Sequence, residues 1–212
     1  MSDDRDLEAA AAATARLEEL WAGDFGDDYV DRNRAAGDGR GPFWQERLAG
    51  LEAASVLEVG CNVGANLRWL AELLGAENVA GVDVNERALA VAREQVPGAD
   101  LRVAVARDLP FPDDSFDLAF TTGVLIHQPP DELGTVLDEI VRCSRRYVLC
   151  GEYHGDELAE VPYRGQDGAL FRQDYGRLYE ERFPSLRLID RQFLSREGGV
   201  WDDVTVWVFE QV

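Results

Sequence analysis

From residue 55 to residue 151 the chain alternates short apolar runs with stretches of helical periodicity, and no other feature restricts its fold as much. The runs at 55–60, 79–83, 101–105, 116–121 and 146–151 read as strands, and 64–75, 86–95 and 130–143 read as helices. Strands that alternate with such helices build a parallel sheet covered on both faces. A helix near 170–183, a strand at 185–193 and a last alternating strand in "DDVTVWVFEQV" follow. The expected fold is α/β, a doubly wound, seven-stranded, mostly parallel sheet.

The N-terminal part has a different texture. Residues 7–22 form an alanine-rich helical pattern with Leu17, Leu20 and Trp21 at helical spacing. "WAGDFGDDYVDRNR" follows, glycines and an aspartate at 37–42 mark a loop, and 43–51 reads as a second short helix. Residues 1–52 are expected to form a helical lid whose core-facing stripe is Trp21, Phe25 and Tyr29. Residues 53–212 are expected to form the core, with a polar, aromatic substrate-side insertion near 152–170.

Length and charge narrow the function. A chain of 212 residues is one domain with a real core. The net charge is −20, and all basic residues are arginine. Such a surface repels phosphate backbones, which argues against nucleic-acid partners. The start lacks the pattern of a signal peptide and no apolar run is long enough to span a membrane. Cys61, Cys143 and Cys150 are scattered, without disulfide or metal-ligand spacing, so a reducing cytoplasm and no metal are expected.

"VLEVGCNVGANL" (56–67) is the first strand–helix turn, where ligands of doubly wound sheets sit. Gly60 and Gly64 permit close backbone approach, and the helix start offers unpaired N–H groups. Asn62 is acceptable there because asparagine visits left-handed conformations. "GVDVN" ends the second strand with Asp83, placed to take both hydroxyls of a ribose. Asn62 and Val63 break the dinucleotide fingerprint, and Glu58 suits an ammonium or sulfonium better than a diphosphate. These features favour S-adenosylmethionine (SAM) over a dinucleotide.

The successive segments "LEVGCNVG", "GVDVN" and "DLPFPDDSFDLAFTTGVLIH" resemble the motifs of class I SAM-dependent methyltransferases. With "WAGDFGDDYVDRN", "GVLIHQPPDEL", "YRG" and "WDDVTVW", the chain is similar to small methylases associated with pseudaminic acid biosynthesis. The resemblance implies a Rossmann-like sheet with an antiparallel last strand and SAM as cofactor. It also implies a small polar acceptor, with a sugar-derived metabolite as one candidate. Glu58, Gly60, Asn62 and Gly64 would line the methionine and ribose part, Asp83 would bind the ribose, and Val84 would lie against adenine. Ala106 to Asp108 would meet the adenine edge. Val105 stands where relatives often carry an aspartate, so Asp108 or a backbone carbonyl would replace that contact. Thr122, Gly123 and His127 would lie beside the sulfonium.

His127 is a candidate general base, since its pKa range suits proton transfer, or else caps the turn. Tyr153 and His154 follow the fifth strand at the same edge; Tyr153 is a second catalytic candidate and His154 a substrate contact. Tyr29, Arg32, Arg164, Asp202 and Asp203 complete the candidate substrate contacts. Rival readings are SAM chemistry without outward methyl transfer, such as cyclisation, and SAM binding without catalysis. The oligomeric state stays open.

Overall fold

The computed structural model describes residues 2–34 and 37–212; for residues 2–7 only the backbone is described. Met1, Ala35 and Ala36, all within the expected lid segment, lie outside the described residues. Helices α1 (Ser2–Ala22), α2 (Asp24–Asn33) and α3 (Gly41–Ala49) precede the alternating part. That part runs β1 (Val56–Val59), α4 (Leu67–Leu74), β2 (Val79–Asp83), α5 (Glu86–Gln95), β3 (Asp100–Val103), β4 (Phe116–Thr122), α6 (Leu133–Cys143) and β5 (Ser144–Glu152). A small hairpin, β6 (Ala159–Glu160) and β7 (Phe171–Arg172), leads to α7 (Tyr175–Arg182), β8 (Leu186–Leu194) and β9 (Val204–Gln211).

The seven-stranded sheet has the order β3-β2-β1-β4-β5-β9-β8. All neighbouring strands pair parallel except β9, which is antiparallel to both β5 and β8. The order reverses between β1 and β4, so the carboxyl ends of β1, β2 and β4 frame the crevice where the fold receives ligands. Strand alternation sends Leu57, Val59, Ala119, Val148 and Phe209 into a core closed by α6 and α7. It sends Val56, Leu118, Phe120, Leu149 and Val208 into a second core under α3, α4 and α5. α3, assigned from sequence to the lid segment, packs in this second core through its wholly buried Trp44.

Two expected helices start later than their patterns. Residues 61–66 form a turn before α4, which spends Asn66 on other partners. Pro129 and Pro130 occupy the turn before α6, and the Leu133 N–H bonds to the Pro129 carbonyl. α2 is a helix that the glycine-rich, acidic sequence hides. Gly26 sits inside it because an added Cβ would fall 1.8 Å from the Trp21 carbonyl oxygen. Asp24 and Asp27 in its first turn and Arg32 in its last complement the helix dipole.

α1 and α2 are joined to the sheet through Asn85. Its side-chain oxygen caps α5 by accepting from Ala88 N–H at 2.8 Å. Its amide nitrogen donates to the Trp21 carbonyl (3.1 Å) and Asp27 (3.0 Å). Asn85→Ala is expected to cost about 1–3 kcal/mol in urea unfolding, because a cap and two buried donors are lost together. Asn85→Ser, which can keep the cap alone, is expected to cost less; equal stability of the alanine variant and the parent would refute this coupling.

Candidate active site

One cleft lies over the carboxyl ends of the strands. Its wall includes residues of α1 and α2, the 58–66 turn, 82–85, 104–106, 122–129, Tyr153, Tyr163, Leu170 and Trp201, Asp202 and Val204. The turn at its floor has three left-handed residues, Gly60 (φ 75°), Asn62 (φ 47°) and Gly64 (φ 79°). A Cβ on Gly60 would come within 2.4 Å of Val124, so the β1 and β4 turns touch only because this residue is glycine.

Glu58 lies at the bottom, 2% exposed, on a strand buried on both faces. Its Oε1 accepts from Asn66 Nδ2 at 2.6 Å and from the Thr122 hydroxyl at 3.4 Å. Its Oε2 is buried and has no partner. Burial is the main cause that pushes its pKa up to about 8, against the opposing pull of the Asn66 bond and the Arg40 charge. A buried carboxylate oxygen without a donor is the kind of atom a bound cation would satisfy.

Arg40 reaches this floor from the loop before α3. Its Nη1 donates to Asn66 Oδ1 at 2.9 Å, its guanidinium lies 4.1 Å from the Trp201 ring centroid, and its Nε is buried without a partner. Asp83 sits at the end of β2. Its two oxygens accept the N–H groups of Asn62 (2.8 Å) and Asn85 (2.9 Å), while burial raises its pKa. The Val84 N–H also bonds this carboxylate, which leaves part of its accepting capacity for a ligand hydroxyl. Val84, Ala104, Val105 and Ala106 form an apolar wall beside it.

Above this floor is an aromatic chamber. Trp21 packs edge-on against Tyr29 at 5.3 Å and lies 4.5 Å from His127, and His127 lies 5.0 Å from Tyr163. The His127 Nδ1 is 2.6 Å from the Ala169 carbonyl oxygen, which makes Nδ1 the protonated nitrogen of a neutral ring. Burial pushes its pKa down to about 4. The Tyr153 hydroxyl donates to Asp202 Oδ2 at 3.0 Å. Burial and then the Asp202 charge hold the Tyr153 phenol above its ordinary value, and burial pushes Tyr29 up to about 12.

Glu58, Gly60, Asn62, Asp83, Val84, Ala106, Thr122, Gly123, Tyr29, His127 and Tyr153 therefore share one wall. As bases, His127 and Tyr153 are poorly poised: one is too acidic when protonated, and the other resists ionisation. Other candidates lie elsewhere. Gly64 is turned away from the cleft, where a Cβ would press on Ala92 at 3.3 Å, so its role is helix packing. Asp108 is exposed beyond the cleft wall, whereas Val105 is part of it. Arg32 is exposed, with its guanidinium 5.6 Å from Tyr29. His154 packs against Trp207 and lies 3.5 Å from Asp156, behind the wall. Arg164 is exposed at a left-handed turn (φ 50°), and the preceding residue, Tyr163, faces the cleft. Asp203 pairs with Arg196 at 2.6 Å and accepts its N–H, so its neighbour Asp202 is the aspartate on the wall.

Arg40, Asn66, Tyr163 and Trp201 join the wall without a sequence-based expectation. An arginine in the glycine loop "GDGRG" and a buried asparagine at a helix start were the available signals. Among the described residues, no cluster of His, Cys, Asp and Glu could hold a metal, and no helix is long and apolar enough to cross a membrane. All three cysteines are free and buried.

Burial of Glu58, and of Glu152 with its pKa pushed up to about 7, has a measurable sign. Both folded values lie above the ordinary 4.5, so their contribution to stability is present below that value and lost as pH rises through 7 to 8. His127 acts on the other side, its contribution being lost as pH falls below 6.5 toward 4. The melting temperature of the ligand-free protein is therefore expected to fall between about pH 4.5 and 8, most steeply above 6.5 where His127 no longer opposes the fall, and Glu58→Gln to flatten it. An unchanged slope in the variant would show that Glu58 is already ionised.

Residues 56–146 match the family described as a methyltransferase domain. Among curated proteins, the methyltransferase GfsG of Streptomyces halstedii is 38% identical over 106 residues, 47% of this chain and 37% of its own. The O-methyltransferase cnsE of Penicillium expansum is 34% identical over 160 residues, 72% of this chain and 54% of its own. The chain thus spans about a third to a half of the length of these relatives. Among solved structures, the 1,6-didemethyltoxoflavin-N1-methyltransferase of Burkholderia thailandensis superposes with a TM-score of 0.68 at 20% identity. That match covers 97% of this chain and 89% of the other, which was crystallised with 1,6-didemethyltoxoflavin and S-adenosylhomocysteine. Residues 56–146 thus match a methyltransferase domain, and they lie in a Rossmann-like sheet, the fold of the superposed SAM-dependent methyltransferase.

Proposed function

We propose that this protein transfers the methyl group of SAM to a small polar metabolite. The observation that carries the reading is the unpartnered Oε2 of Glu58 at the floor of the cleft, with Asp83 on the same wall. Bound SAM supplies an activated methyl on a sulfonium. Glu58 takes its ammonium, Arg40 takes its carboxylate, Asp83 takes the ribose hydroxyls, and Val84, Val105 and Ala106 cover adenine. Gly60, Asn62, Thr122 and Gly123 shape the backbone around it. α1 and α2 act as a lid that excludes water, and Tyr29, His127, Tyr153 and Tyr163 confine the acceptor. The resemblance to methylases associated with pseudaminic acid biosynthesis makes a sugar-derived acceptor one candidate. The negative charge of the chain disfavours nucleic acid as acceptor.

The reading has a calorimetric consequence. An ammonium on Glu58 favours its carboxylate, so binding near pH 7 expels the proton that burial retains in the free protein. Titration of S-adenosylhomocysteine in two buffers of different ionisation enthalpy is expected to reveal that release, and Glu58→Gln to abolish it. Asp83→Asn is expected to weaken binding by about tenfold or more, ~1.4 kcal/mol, and also to lower the melting temperature, because one of the two backbone N–H groups loses its acceptor. Turnover with the true acceptor is expected to yield S-adenosylhomocysteine, whereas cyclisation would yield methylthioadenosine. Binding of NAD and not of SAM would refute the proposal.

A further inference from the structure

We propose that Asp202, held by Tyr153, is the acceptor-binding group of this site, and that the acceptor is an uncharged or cationic molecule that donates an N–H or O–H to it. The inference rests on the methyltransferase reading and adds the acceptor's chemistry.

Three observations carry it. First, Asp202 is placed by the sheet. β9 returns antiparallel along β5 with Glu152 opposite Thr205, so the residues just beyond that pair, Tyr153 and Asp202, meet at the edge of the cleft. The Tyr153 hydroxyl occupies Asp202 Oδ2, and no protein group among the described residues bonds Oδ1. One oxygen of an anchored carboxylate is thereby left to a ligand. The bond also fixes the direction of Tyr153, which donates and so serves to position Asp202.

Second, the wall around Asp202 is built of rings. Tyr29, Tyr153, Tyr163, Trp21 and Trp201 line the same cleft. Their faces carry partial negative charge and suit a flat apolar face or a cation. Asp202 sits close enough to Tyr29 to raise its pKa.

Third, acidic groups outnumber basic ones in the cleft lining. Glu18, Glu58, Asp83 and Asp202 line it, against a single arginine, Arg40, among the described residues. Arg40 is bonded to Asn66 and stacked on Trp201, and the reading above commits its free edge to the cofactor's carboxylate. His127 is neutral, with Nδ1 spent on Ala169. Arg32, Arg164 and Arg172 lie 5.5–5.8 Å from the rings of Tyr29, Tyr163 and Tyr153 but are not part of the cleft lining. Within the lining no cation is left for an acceptor's carboxylate or phosphate, which disfavours a diphosphate-linked sugar and favours an uncharged or amine-bearing one.

The test uses three probes on one frame, 6-aminoquinoline, 6-hydroxyquinoline and quinoline-6-carboxylate, titrated calorimetrically into the protein saturated with S-adenosylhomocysteine. The amine or the hydroxyl probe is expected to bind at least tenfold more tightly than the carboxylate, and which of the two does so identifies the donor. Asp202→Ala is expected to remove most of that preference with S-adenosylhomocysteine affinity and melting temperature retained. Tyr153→Phe, which frees Asp202 to swing, is expected to lower the preference partly. A carboxylate probe that binds as well as the others, no binding of the amine and hydroxyl probes, or an unaltered preference in Asp202→Ala overturns the proposal and leaves the methyltransferase reading standing. Failure of S-adenosylhomocysteine itself to bind overturns both.

Discussion

The carboxylate of Glu58, sealed into the central strand of a sheet covered on both faces, is the constraint around which this end of the molecule is arranged. An ionised group there is costly unless it is answered by hydrogen bonds or charge. Asn66 answers one oxygen, and Asn66 is itself oriented from the other side. Trp44 Nε1 (3.3 Å) and Arg40 Nη1 (2.9 Å) both donate to its Oδ1, which leaves the Nδ2 hydrogens for Glu58 and Thr122. That donor pattern fixes which way the amide faces. Residues from the loop before α3, from α3, from the β1 turn and from β4 thus meet around one acid. Their joint effect is a pocket floor with one oxygen open.

A second buried acid shows what a closed arrangement looks like. Glu152, wholly buried at the end of β5, accepts the N–H of Val124 at 3.1 Å through one oxygen and the N–H of Ile126 at 3.4 Å through the other. It therefore holds the turn after β4, the turn that presents Gly123 and His127 to the cleft. Both of its oxygens are used inside the protein, whereas Glu58 has one in reserve. The contrast separates a carboxylate that builds the scaffold from one prepared for a ligand, although both sit at strand ends and both have raised pKa values.

The sheet was legible in the sequence because apolar runs, glycine turns and helical periodicity agree along residues 55–151. β2 and α5 begin and end where the pattern places them. The floor of the site was legible for the same reason, since ligand position in this architecture follows from strand ends. Side-chain direction was not. Spacing brings Arg164 and Asp203 to the correct edge, yet Arg164 turns to solvent at a left-handed residue and Asp203 turns to Arg196, while Tyr163 and Asp202 beside them face inward. Gly64 fits the loop pattern but is required by contact with α5. Arg40 was invisible because its partners lie across the fold, and no local periodicity records them. α2 was hidden by Gly26, whose reason is the Trp21 carbonyl and not a break in the helix.

The fastening of α1 and α2 bears on how a ligand enters. Arg107 pairs with Glu18 at 2.8 Å and Arg87 with Asp31 at 2.7 Å, and Arg16 donates to the carbonyls of Asp167 (2.9 Å) and Gly168 (3.1 Å). These contacts lie at the surface, where each is worth about 0–1 kcal/mol. Asn85, the Trp21 ring cluster and Val30, which packs with Val63, Ala65, Ala88 and Val91 in a small third core, are the buried links. The sheet, in contrast, is closed by two apolar cores that α1 and α2 do not complete, since α3 to α7 cover its faces. Displacing α1 and α2 would therefore break a few polar contacts, one aromatic cluster and the small apolar cluster around Val30, and leave the two cores of the sheet closed. α1 and α2 are thus held over the cleft by fewer buried apolar contacts than the helices that close the two cores of the sheet, and such attachment favours local opening ahead of global unfolding.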